Sequence, residues 1–100
     1  VHMKTFILLM LLFSSVAVMA DCNREVQFVG KVTNLKTKSA SFSFQLKLGK
    51  WFSPSIVCPM YEDEFETAVV EILGKPLISN GDEISGVLVF DQKTQSYRID

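Results

Sequence analysis

The sequence predicts a mainly β domain with one helix, preceded by a secretory signal peptide. Three observations lead there. Apolar and polar residues alternate through most of the chain after residue 21. One segment switches to a helical period, and an uninterrupted apolar run follows Lys4.

The apolar run is the first element. Val1 and His2 read as an upstream remnant, and Met3 as the start. Lys4 supplies the positive charge, Phe6 to Phe13 are all apolar, and Ser14-Ser15 break the run. Val18 and Ala20 then stand at −3 and −1 of a cleavage site before Asp21, the pattern that a signal peptidase accepts. A membrane span needs about 20 apolar residues, and this run is shorter. The expected organisation is a cleaved signal over residues 1–20 and one domain over 21–100, with no stable membrane span after cleavage. Lipid attachment needs a small residue before the cysteine, and Asp21 precedes Cys22.

Val26 to Thr33 reads as the first strand, with Gly30 a bend or bulge. Lys36-Thr-Lys-Ser39 is a polar loop. Ala40 to Leu48 alternates strictly and predicts the second strand, with Ser41, Ser43, Gln45 and Lys47 outward. Gly49-Lys50 is read as a turn into a third strand, Trp51 to Val57, where Pro54 implies an edge or a bulge.

From Asp63 the period changes. Phe65, Ala68, Val69, Ile72 and Leu73 share one face of a helix. Asp63 and Glu66 resemble a capping box, acidic residues crowd the first turn, and Gly74 and Pro76 terminate it. Asn80-Gly81 is a turn. Ile84 to Phe90 is the fourth strand, Asp91 to Thr94 a hairpin loop, and Gln95 to Ile99 the fifth strand. The predicted order is β-β-β-α-β-β.

Composition narrows the chemistry. Removing Lys4 from ten Lys and Arg leaves nine against eleven Asp and Glu, a net charge of −2. That balance argues against an indiscriminate nucleic-acid binder, which neutralises phosphates. Positive charge gathers in the first half and negative charge in the second, a pattern that fits two charged faces or simply solvated strands. Two cysteines, Cys22 and Cys58, in an exported chain favour one disulfide. It would add about 3–4 kcal/mol in the chain-entropy model; the alternatives are free thiols or a redox pair.

With its only histidine at position 2, the mature chain offers no Ser-His-Asp or Cys-His catalysis and lacks the commonest metal ligand. One methionine, Met60, is too few for thioether copper binding. Glu62-Asp-Glu-Phe-Glu66 lacks the spacing of a calcium loop and suits a helix N-terminus. No phosphate loop or nucleophile elbow is present. The expectation is a non-enzyme without cofactors.

Three strands, a helix and a hairpin follow the element order of the OB-fold, a five-stranded Greek-key barrel. Val29-Gly30-Lys31-Val32, Val57-Cys58-Pro59 and Asn80-Gly81-Asp82-Glu83-Ile84-Ser85-Gly86 resemble OB-fold domains of the tRNA-anticodon-binding-like type found in small exported bacterial proteins. The resemblance implies an OB-like barrel plugged by Phe65, Val69 and Ile72. It implies no tRNA role for an exported chain and carries over no functional residue.

OB barrels bind oligonucleotides or oligosaccharides on the face of strands two and three and the flanking loops. The corresponding candidates are Lys36 and Lys38 in the first loop, Gln45 and Lys47 on strand two, and Lys50 and Trp51 at the following turn. Trp51 can stack on a base or sugar or pack at the barrel rim; the serines can line a site or a plain solvated face. Two functions follow. One is an exported, periplasmic or secreted module binding a polyanion or glycan on the strand 1–3 face. The other is a protein-interaction, accessory or inhibitor protein docking an envelope or extracellular partner through its acidic face or a sheet edge.

Overall fold

The computed structural model describes residues 22–100; the predicted signal peptide lies outside the described residues. Five strands and one short helix follow one another as β1 (Arg24–Thr37), β2 (Ser41–Pro54), α1 (Glu62–Thr67), β3 (Val70–Leu73), β4 (Glu83–Asp91) and β5 (Ser96–Ile99). The strands hydrogen-bond in a closed ring, β1-β2-β3-β5-β4, with β4 returning to β1. All pairings are antiparallel except β3 with β5.

The first strand is longer than its sequence pattern implies because it serves two neighbours in succession, β4 over Arg24–Lys31 and β2 over Val26–Thr37. Val26, Phe28 and Val32 face the core, and the strand bends at register shifts after Val29 and after Thr33. The predicted irregularity at Gly30 is therefore present. A Cβ on Gly30 would stand 2.7 Å from the Lys47 carbonyl, and one on Gly49 2.5 Å from the Val29 carbonyl. The two glycines let β1 and β2 cross closely at the bend.

That crossing corrects the predicted third strand. Gly49-Lys50 does not reverse the chain. Residues on both sides of it pair with β1, Leu48 with Gly30 and Trp51 with Val29, so Gly49-Lys50 is a bulge inside one continuous strand. A glycine-lysine pair suits a bulge as well as a turn, and only the pairing partner distinguishes them.

The helix is corrected as well. It ends at Thr67, whose hydroxyl donates back to the Asp63 carbonyl. Ala68 is extended, and Val70–Leu73 pairs with Ser41–Phe44 as a strand. Val69, Ile72 and Leu73, assigned to the buried helix face, are exposed, whereas Val70 is buried. Val69, Val70 and Ile72 are β-branched and favour a strand, while the same apolar residues also fit a helical period. The order becomes β-β-α-β-β-β.

Phe65 is fully buried and makes edge contacts with Phe28 at 5.3 Å and Phe52 at 5.2 Å. It fills the ring interior where β3 begins. The last hairpin forms as expected, with Leu88 paired to Ile99 and Phe90 to Tyr97. Asp91 stabilises its turn by accepting from the Lys93 and Thr94 amides.

Cys22 and Cys58 form a disulfide across 36 residues, with Cα atoms 6.2 Å apart. It ties the start of β1 to the segment after β2. Glu25 reinforces the tie: its amide donates to the Cys58 carbonyl, and its carbonyl accepts from the Ser55 and Met60 amides. A structural disulfide suits an oxidising compartment.

Candidate functional site

Alternation along β2, β1 and β4 turns a series of side chains away from the core. Register sets them in rows. Lys47, Lys31 and Glu83 form one row, Trp51, Val29 and Ser85 the next, and Ser53, Gln27 and Val87 a third. Trp51 remains 54 % exposed although its strand is fully paired on the β1 side. Its neighbours on this face include three lysines, Lys31, Lys47 and Lys50, all exposed.

The lysines are unevenly engaged. Lys50 pairs with Glu83 at 3.5 Å, an exposed contact of little strength. Lys31 and Lys47 stand directly opposite each other, and like charges at that spacing repel. Glu83, opposite Lys31 on β4, is the one carboxylate in that row, so the three lysines outnumber it and the face keeps a local positive charge.

Beyond the Trp51 row the face opens into a shallow hollow of about 390 Å³ lined by Glu25, Gln27, Ser53, Pro54, Ser55, Ile56 and Val87. Ile56 is completely exposed on the braced loop beyond it. The face thus combines a planar aromatic surface, paired cations and a polar hollow with an apolar edge.

The six residues read from sequence do not form one site. Lys47, Lys50 and Trp51 converge. Lys36 pairs with Ser43, seven residues along β1 from Val29, about 20 Å away at the usual strand rise. Lys38 pairs with Glu71 of β3 at 3.2 Å. Gln45 is taken up structurally: its amide donates to the Thr67 carbonyl and its oxygen accepts from Asn34. Ser41 and Ser43 are buried, contrary to their expected outward solvated positions. Ser43 sits between Lys36 and Glu71 in register, so longer side chains flank it.

Lys31 and Val29 were missed as members of the site. The phase of β1 carried that signal, since residues 29 and 31 alternate with the buried Phe28 and Val32.

The acidic segment has a structural role. Arg24 donates through Nε and Nη2 to both oxygens of Glu64 at 2.8 Å, and the Tyr97 hydroxyl donates to Glu64 Oε2 at 2.8 Å. The Arg24 guanidinium also lies over the Phe90 ring, 4.6 Å from its centroid. Hydrogen bonding from Arg24 holds the Glu64 carboxyl below its usual range, against the opposing effect of burial. Burial, aided by Glu64, pushes the Tyr97 hydroxyl up. Glu66 accepts from the Leu48 amide. Among the described residues no three Cys, Asp or Glu side chains converge as metal ligands would.

Comparison with protein-family models, with curated proteins and with solved structures found no match.

Proposed function

We propose that this chain is an exported, periplasmic or secreted, non-catalytic binding module that takes a polyanion or acidic glycan on the outer face of β1 and β2. The five-stranded ring with one closing parallel pair supports an OB-like Greek-key barrel. Its helix lies between β2 and β3 and departs from the expected pattern. The observation that carries the functional reading is the half-exposed Trp51 beside Lys31, Lys47 and Lys50 on one paired surface. An indole stacks on sugar or base faces, and the ammonium groups supply the counter-charge.

The test is heparin chromatography of residues 21–100. Since the net charge is −2, retention at low salt would report a local basic face. Expected results are salt-dependent retention, its loss in K31Q/K47Q/K50Q, and a shift of Trp51 emission when heparin is added. Trp51 is the only tryptophan, so that signal has one source. No retention at low salt together with unchanged emission overturns the reading.

A protein partner is the second reading, favoured by the loop that carries the exposed Ile56 and Val57. Its backbone is held by Glu25 and by the disulfide, and a preorganised loop loses little entropy on docking. The acidic helix is the weaker docking face, because Glu64 and Glu66 are engaged within the fold.

A further inference from the structure

Where β3 ends, the ring is not closed by a side chain equivalent to Phe65. A groove of about 400 Å³ opens there, floored by Phe42, Phe44, Ile84 and Ile99. Its rim carries Leu73, 84 % exposed, and Leu77, 99 % exposed. A single charged side chain, Lys75, lines it, and Lys75 has no ion-pair partner among the described residues.

We propose that this groove binds a single-chain anionic amphiphile, its tail along the aromatic and isoleucine floor and its carboxylate at Lys75. The argument rests on volume, lining and charge together. A liquid water occupies about 30 Å³ and a methylene a comparable space, so the groove accommodates on the order of a dozen carbons. The floor offers such a tail no polar side chain. Lys75 is the only charged residue that lines the groove, which favours an anionic head over a cationic one.

The segment that carries Lys75 is anchored at both ends. Gly74 adopts a positive φ of 105°, where its amide donates to the Ala40 carbonyl. The chain is pinned again where the Ser79 amide donates to Asp82 Oδ2. Between these anchors lie Lys75, Pro76, Leu77 and Ile78, of which Ile78 packs against the core. Leu77, almost wholly in water, gains a partner when a tail fills the groove. This site is separate from the Trp51 face and stands or falls independently of it.

The experiment titrates disulfide-bonded residues 21–100 with dodecanoate below its micelle concentration, following isoleucine methyl resonances and heat. One-to-one binding is expected, with shifts at Ile72, Ile78, Ile84 and Ile99 and unchanged Trp51 emission. Affinity should rise about fourfold per methylene from octanoate to dodecanoate. K75E should weaken dodecanoate about fivefold or more and leave dodecanol binding unchanged, and L77D should weaken both. Both positions are exposed, so these variants should fold. Absence of one-to-one binding, shifts confined to other residues, equal K75E effects on acid and alcohol, or binding only to phosphatidylglycerol vesicles would each overturn the proposal. Failure on heparin would leave it untouched.

Discussion

The two ends of β3 are finished in different ways. Where β3 begins, α1 drives Phe65 into the ring, Glu64 ties the helix to Arg24 and Tyr97, and the disulfide fastens the adjoining loop. Where β3 ends, Leu73 and Leu77 are exposed beside an apolar groove. The first end is cross-linked and aromatic-packed, while the second leaves apolar side chains exposed. A small domain has little stability to spare, so the concentration of ties at one end is consistent with the proposed ligand site at the other.

Truncating Phe65 is the strongest way to break this contrast. F65A removes a fully buried ring that touches Phe28 and Phe52 and should cost about 3–5 kcal/mol. Urea denaturation of the domain should show most of its stability gone. A loss below about 1 kcal/mol would mean that α1 is not the plug.

Breaking the disulfide comes next. Its loop of 36 residues corresponds to about 3–4 kcal/mol in the chain-entropy model. C22S/C58S should lower the urea midpoint and steepen the slope, because the unfolded chain without the cross-link is more expanded. The amides of Ser55 and Met60 should lose hydrogen-exchange protection before those of β4, because Glu25 holds them beside the cross-link. Uniform loss across the ring would show that the disulfide acts on the unfolded chain alone.

Glu64 gives a smaller, pH-dependent effect. Its carboxyl is depressed in the folded state, chiefly by the Arg24 hydrogen bond. Its contribution is therefore present above the ordinary value of 4.5 and lost as pH falls through the lower folded value. The pair is partly solvent-exposed, so E64Q should cost about 1 kcal/mol at neutral pH. It should also flatten the loss of stability below about pH 4.5. An acid limb identical in E64Q and wild type would assign that limb to other carboxylates, with Asp91 the first to examine, since the Lys93 amide depresses it.

The same contrast explains what could be read from sequence. Strands with apolar residues at every second position, such as Phe42 to Leu48 and Ile84 to Phe90, and the Asn80-Gly81 and Asp91 turns, are legible because period and turn chemistry are local. So is the cysteine pair. The stretch from Ala68 to Leu73 is not, because its residues fit a helical stripe as well as an exposed strand. Pairing with Ser41–Phe44 decides it, and pairing is a long-range fact. Trp51, Lys47 and Lys50 were placed by a turn that is a bulge, yet the side chains still converge, since the bulge keeps Trp51 in register with Val29. Lys36 and Lys38 are expected beside them as the first loop of an OB face, but β1 runs on to Thr37 and carries them away from Trp51. The groove has no signature in the sequence: the helical period places Leu73 on a buried face, and nothing marks Leu77.

The smallest expected effect tests the open end directly. Leu77 is 99 % exposed, so L77S should change stability by no more than about 0.5 kcal/mol. Set beside F65A, it asks whether apolar side chains at the two ends differ in purpose. A loss of about 2 kcal/mol or more would mean that the Lys75–Leu77 segment lies down on Ile84 and Ile99 in solution, closing the groove with the protein's own chain. The two ends would then be equivalent, each plugged by one apolar residue. A near-neutral result, with dodecanoate binding weakened in the same variant, would leave Leu77 with a role only when the groove is occupied. It would also make Leu77 sensitive to ligand and Phe65 sensitive to denaturant.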